Sequence, residues 1–284
     1  MKTVDVTWRG TWGVGDFMMA LNVCHLHAWK TNCKVNLEMH WEHGEDHLHH
    51  FEEEETIIER MTRIHNFYHD KDRVTVTHLF NQTSGRYYYT DWQKRHKKNK
   101  NRFTFSDNSW SDKPGSPLAD NRWAFREDCL DHPMYDRKKV VIWRPLFNAE
   151  EPRTWKRLLT NDVWERIILR LSEAGLNITE LTYRTPVSEA MFHIATCRQI
   201  VCYDGMWHYI GRNFCKPMIV VSEEGITTYH TPDAVKLSHN PEKKNSIKQF
   251  WHDLSGLLGR SKQKAREQRE FNRKYYGVHE VSDK

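Results

Sequence analysis

Residues 186–221 read PVSEAMFHIATCRQIVCYDGMWHYIGRNFCKPMIVV. Val187 to Ala195 has helical spacing, Gln199 to Tyr203 is a short apolar run, Trp207 to Phe214 is a second helical stretch, and Met218 to Val221 is another apolar run. Helix and strand alternate here with short connections, the signature of a parallel sheet covered by helices on both faces. The pattern extends back to Lys139. Val140 to Arg144 reads as a strand, and Asn161 or Asp162 caps a helix with Val163, Trp164, Ile167, Ile168 and Leu171 on its apolar stripe. Gly175 closes that helix, and Ile178 to Tyr183 reads as the next strand.

The beginning of the chain repeats the unit. Val4 to Trp8 is β-rich, Gly10, Gly13 and Gly15 mark a turn, and an apolar helix runs from Asp16 through Leu21 and Leu26 to a second strand at Lys34 to Met39. A His-rich run, His40 to His50, leads through four glutamates into a helix carrying Ile57, Ile58, Met61 and Ile64; Val74 to Leu79 is a further strand. From Asn81 to Asp136 periodicity fails, and the segment reads as long loops with short helices. The boundaries that follow are 1–136, 137–245 and a helical, basic tail at 246–284. Between Lys243 and Lys274 ten Lys or Arg face three acids, although the whole chain carries only +5. The apolar half of the tail, Ile247 to Leu258, needs a surface to bury, which the first domain is expected to supply.

The 284 residues suggest about two domains. Only 38% are hydrophobic, yet 12 Trp, 11 Tyr and 12 Phe provide the burial area that disordered chains lack. No apolar run approaches the ~20 residues of a membrane helix. Asp5 interrupts the place where an export signal needs its apolar core, so the expected location is the cytoplasm. Cys24, Cys33, Cys129, Cys197, Cys202 and Cys215 form no Cys-x-x-Cys pair and read as reduced thiols.

Two segments together resemble a nucleotide-sugar glycosyltransferase of the GT-B type, most like glycosyltransferase family 9, the heptosyltransferases. One is Gly13-Val14-Gly15-Asp16 followed by an apolar helix; the other is Asp204-Gly205-Met206-Trp207-His208 with Lys216-Pro217 before the last strand. The resemblance covers about the first 40 residues and the stretch from 140 to 222. In this chain Asp204 and Gly205 are adjacent, a departure from the family's Asp-x-Gly. The resemblance implies an α/β, GT-B-like fold of two Rossmann-like, doubly wound domains facing a cleft, with a C-terminal helix. It implies acceptor on the first domain and nucleotide-sugar on the second. It also implies that Asp16 is the general base that takes the acceptor's proton.

The chemistry of these residues bears on the same roles. A helix opening at Gly205 to His208 presents backbone N–H groups and the positive end of its dipole to a diphosphate, with Gly205 permitting close approach. Gly13, Gly15, Asp204, Met206 and His208 are therefore donor-site candidates; the plain alternative is an Asp that merely caps a helix. Arg144, Arg153 and Lys156 follow the first strand of the second domain, where a cation would stabilise the departing diphosphate; solvated surface charge is the competing reading. Asp16 likewise has a purely helix-stabilising alternative. No cofactor is expected beyond a UDP- or ADP-linked sugar as co-substrate, and no metal requirement. Asp70-Lys71-Asp72 and His40, His43, His47, His49 and His50 are weak metal candidates.

For the acceptor, Lys94, Arg95, Lys97, Lys98, Lys100 and Arg102 form a basic run between Trp92 and Phe103, the mixture of cations and stacking rings that nucleic acid requires. DNA bearing hydroxymethylated pyrimidines, as modified by phage glycosyltransferases of the same architecture, is the first expectation, and would place the protein in a host cytoplasm. A lipopolysaccharide-core or other glycan acceptor is the alternative, and a non-catalytic nucleic-acid-binding module is a further one.

Overall fold

The computed structural model describes residues 1–11, 14–41, 56–68, 70–80, 102–106, 132–144, 161–182, 185–203, 206–223, 235–239, 260–267 and 269–270. The chain divides into two compact units, Met1–Trp123 and Ala124–Lys284.

In the first unit β1 (Thr3–Thr11), α1 (Val14–Thr31), β2 (Lys34–Trp41), α2 (Ile57–His65), β3 (Val74–Phe80) and β4 (Arg102–Ser106) follow one another. The sheet order is β3-β2-β1-β4, with every pairing parallel. Alternation sets the register of the central pair. Val4, Val6 and Trp8 of β1 and Val35, Leu37 and Met39 of β2 bury one face. The other face joins Asn36 to Asp5 at 3.0 Å and Thr7 to Glu38 at 3.3 Å, each pair being direct partners in the ladder.

Helix α1 is buried along almost its whole length, including Phe17, Met18, Leu21, Asn22, Cys24 and His25. Helix α2 begins with a capping box: Thr56 N–H donates to Glu59 Oε2 at 2.8 Å and Glu59 N–H to Thr56 Oγ1 at 3.2 Å. Beyond α2, Tyr68 crosses to α1, its hydroxyl donating to Asn22 Oδ1 at 2.8 Å while its ring stacks on His25 at 4.6 Å.

Three expectations for this unit are corrected. The segment expected to be only loops and short helices contains β4, paired to β1 from Asp5↔Arg102 to Arg9↔Ser106. Its alternation, Arg-Phe-Thr-Phe-Ser, is five residues long and sits in a Lys- and Asn-rich background. Gly10 lies inside β1, where the register shifts between Arg9 and Thr11, so it marks a bulge and not a turn. His40 belongs to β2 and is buried, its Nε2 3.6 Å from Glu38 Oε2.

The second unit runs β5 (Lys139–Trp143), α3 (Asn161–Glu173), β6 (Asn177–Leu181), α4 (Val187–Thr196), β7 (Gln199–Cys202), α5 (Met206–Asn213), β8 (Met218–Glu223), β9 (Val235–His239) and a helix over 260–267. Its sheet order is β6-β5-β7-β8-β9, again all parallel. Val140, Val141, Ile142, Ile200, Val201 and Cys202 are fully buried, as expected for central strands covered on both faces. On one face Trp164, Ile167 and Leu171 of α3 pack on Val140, Ile142, Val201, Ile219 and Val221. Helix α5 lies close to the sheet because residue 211 is glycine: a Cβ there would overlap Ile200 Cδ1 and meet Met218 Sδ at 3.0 Å.

Gly175 ends α3 at φ +74°, with Leu176 N–H bonded to Leu171 O at 3.2 Å and Gly175 N–H to Ser172 O at 2.9 Å, a Schellman closure. Strand β9 was not anticipated; Val-Lys-Leu-Ser-His offers only two apolar residues. The apolar half of the tail, Ile247 to Leu258, expected against the first domain, lies outside the described residues; in the helix that follows, Ser261 is fully buried and accepts a bond from Gln199 Nε2 at the start of β7. Cys24, Cys33, Cys197, Cys202 and Cys215 are all buried and outside any disulfide. Among the described residues no helix is long and apolar enough to cross a membrane.

Candidate functional site

Strand order fixes where each sheet can hold a ligand. In the second unit the chain leaves β5 toward β6 on one side, while β7 pairs with β5 on the other. That reversal is a topological switch point, and in open α/β sheets the ligand crevice lies outside the carboxyl ends of the strands on either side of it, here β5 and β7. In the first unit the equivalent reversal lies between β1 and β4.

The carboxyl ends of β5 and β7 carry Trp143, Arg144 and Tyr203. Tyr203 N–H donates to Trp143 O at 3.3 Å, extending the ladder one residue beyond Cys202. The Trp143 and Tyr203 rings stack at 4.4 Å, and Trp207 of α5 meets Trp143 edge-on at 5.8 Å. Helix α5 begins three residues after Tyr203, so its first-turn N–H groups, which lack intrahelical acceptors, lie at this carboxyl end. Met206 opens the helix half-buried, and His208, two residues on, is fully buried with its ring 4.6 Å from that of Tyr209.

Arg144 is the first residue beyond β5. Its Nε donates to Glu180 Oε2 of β6 at 2.9 Å, and its Nη1 to Glu165 Oε1 of α3. Burial opposes the charge of this guanidinium, but the two carboxylates outweigh it and raise its pKa above the ordinary value. Arg144 therefore joins three elements at the mouth of the crevice, with two of its five N–H donors already committed. These two glutamates and the aromatic pair were not singled out from the sequence. Glu180 pairs with Ile142 in the ladder and so stands next to Arg144, a relation that appears only once the register is known.

In the first unit Gly15 and Asp16 are the second and third residues of α1, just past the end of β1. Gly13, Arg153, Lys156, Asp204, Gly205, Lys94, Arg95, Lys97, Lys98 and Lys100 lie outside the described residues, as do His43, His47, His49 and His50 and the side chains of Asp16 and Arg102. Arg102 opens β4. Asp70 has φ 53° and its carboxylate is 3.5 Å from Arg73 Nε, with Lys71 and Asp72 in the following 3-10 turn. Among the described residues no three His, Cys, Asp or Glu are grouped so as to hold a metal.

Lys216, the lysine of the Lys-Pro pair, is buried at the opposite, amino-terminal edge of the sheet. Its Nζ donates to Ala195 O at the end of α4 at 2.6 Å. Its role there is to bind a helix C-terminus, where a cation is favoured.

No protein-family profile matches the sequence, and no curated protein sequence matches it significantly. Among solved structures, TibC, an iron-containing dodecameric glycosyltransferase from enterotoxigenic E. coli H10407, aligns over 93% of this chain and 77% of its own, with 11% identity and a TM-score of 0.49. The E. coli heptosyltransferase WaaC, solved with ADP, aligns over 89% of this chain and 99% of its own, with 11% identity and a TM-score of 0.51. The mixed α/β architecture with parallel sheets is thus similar to a heptosyltransferase fold.

Proposed function

We propose that this protein is a nucleotide-sugar-dependent glycosyltransferase that binds its donor on the second unit and transfers the sugar to a hydroxyl of a glycan acceptor. The observation that carries this reading is the switch point between β5 and β7, where Trp143, Arg144, Tyr203 and the start of α5 converge in a fold similar to that of WaaC. An ADP-linked sugar is the first donor to test, because the WaaC structure holds ADP.

In this reading the diphosphate sits against the N–H groups opening α5, which Asp204 and Gly205 precede in the sequence. The Trp143–Tyr203 stack offers an aromatic face to the nucleoside base. Arg144, with Arg153 and Lys156, supports the charge that grows on the diphosphate as its bond to the anomeric carbon breaks. Asp16 takes the proton of the attacking hydroxyl, the new glycosidic bond forms, and the nucleoside diphosphate leaves.

A DNA acceptor rests on the basic run from Lys94 to Arg102, and the likeness to heptosyltransferases lends it nothing. That likeness favours the glycan alternative, with a lipopolysaccharide-core sugar as its nearest form. The experiment is incubation with a panel of ADP- and UDP-sugars, each offered glycan acceptors and modified or unmodified DNA, with mass spectrometry of all products. Sugar transfer to a glycan, abolished by Asp16→Asn with the fold intact, is expected. Transfer to DNA would overturn the acceptor assignment. Failure of every donor to bind would overturn the whole reading.

A further inference from the structure

The strands of the second unit are all parallel, so their starts line one edge of the sheet and their ends, with the crevice described above, line the other. The starting edge is basic. Arg137 and Lys138 precede β5, Arg198 precedes β7, and Lys262 and Arg266 lie on the helix over 260–267 that Ser261 ties to Gln199. Arg198 Nη1 donates to Arg137 O at 3.4 Å, drawing two of these residues together. Burial, then the repulsion of Arg198 and Arg266, hold the Lys262 ammonium below its ordinary pKa. Among the described residues none of these five side chains is paired with a carboxylate. Asp136, the acid beside them, accepts from Lys138 N–H at 2.7 Å and from Asn177 at 3.4 Å, and Glu267 accepts from Gln263.

The same edge exposes large apolar side chains. Met134 is 64% exposed, Tyr135 47% and Phe192 40%, three of the five large hydrophobic side chains exposed among the described residues. Two of them lie against lysines: Lys216 Nζ is 5.3 Å from the Tyr135 ring centre and Lys139 Nζ 5.4 Å from that of Phe192, which the His132 ring also meets edge-on at 5.6 Å. Cations with no carboxylate partner among the described residues, on the same edge as exposed Met, Tyr and Phe, match a bilayer surface, which supplies anionic headgroups for the first and an apolar boundary for the second. Nucleic acid would also use the cations, and the oligonucleotide arm of the test below separates it from the bilayer.

We infer that the starting edge of this sheet, centred on Arg198, Lys262 and Met134, is a docking surface for an anionic lipid bilayer. It lies on the edge opposite the crevice and requires no donor, so it stands or falls apart from the proposed transferase activity. The test is flotation of the full chain with phosphatidylcholine vesicles, with and without phosphatidylglycerol, in the absence of nucleotide-sugar. Binding is expected only with phosphatidylglycerol. At about fivefold per cation, the double variant R198Q/K262Q weakens it roughly 25-fold. M134S weakens it as well, while K34Q/K71Q, which removes the same net charge from the first unit, leaves it unchanged. Equal binding to neutral vesicles would overturn the inference, and so would an equal loss in K34Q/K71Q. It would also be overturned if R198Q/K262Q weakened binding to an oligonucleotide and left vesicle binding intact.

Discussion

Acidification from neutral pH to about pH 5 should destabilise the first unit through two histidines held neutral. Burial, reinforced by the nearby Lys71 charge, pushes His65 down to about 4; burial, then His65 itself, pushes His78 down to about 4. His78 has a structural reason to stay neutral, since its Nδ1 accepts the Trp41 indole N–H at 3.1 Å and a proton there would break that bond. The ordinary value is 6.5, so the unfolded chain binds protons first as pH falls. The stability these histidines contribute is complete above about pH 6.5 and drains away as pH drops toward 4. Near pH 5 linkage gives about 2 kcal/mol for each, about 4 for the pair, a large part of a typical domain's stability. For a unit of this size that amounts to roughly 15 °C in Tm. The assay is calorimetric melting of wild type and H65Q/H78Q at the two pH values. Wild type should lose far more than the double variant. An identical pH-induced loss in both proteins would refute the reasoning.

Three further outcomes follow from local geometry. Gly175→Ala should cost about 1 kcal/mol, because the cost is the left-handed φ alone and a Cβ there meets nothing within 4 Å; denaturant melting should find Gly175→Asn milder. Thr56→Ala removes one half of the α2 capping box and should cost about 1 kcal/mol in the same assay, with donor binding untouched. Lys216→Met strands the Ala195 carbonyl and should cost about 1–3 kcal/mol, yet leave nucleotide affinity unchanged, since Lys216 sits at the edge away from the crevice. A loss of affinity measured by calorimetry in that variant would place the Lys-Pro pair in the donor site.

The sequence was most informative where one local periodicity spans a whole element. The run from β5 to β8 and the first β1-α1-β2 unit could be read from alternating strands, helical stripes and the capping glycine at 175, because each signal lies within a few residues. Strand β4 escaped notice because its five residues interrupt a polar, lysine-rich stretch, and only pairing with β1 gives its alternation a meaning. The site was legible in position but not in partnership. That Arg144 follows a strand end is visible in the chain; that Glu165 and Glu180 hold it is not, because they are 21 and 36 residues away and meet it only through the packing of α3 and the strand order β6-β5. The Trp143–Tyr203 stack is non-local in the same way, joining the ends of two strands adjacent in space and 60 residues apart. The buried Lys216 teaches the converse: a basic residue beside a suggestive motif can serve a helix end.

The central claim is that a nucleoside diphosphate binds where β7 hands over to α5. Amide hydrogen exchange of the full chain, with and without ADP, tests this most directly. The account predicts protection concentrated at Tyr203 to His208 and at Trp143 and Arg144. Protection confined to the amino-terminal edge, around Lys139 and Lys216, or to the first unit, would contradict it.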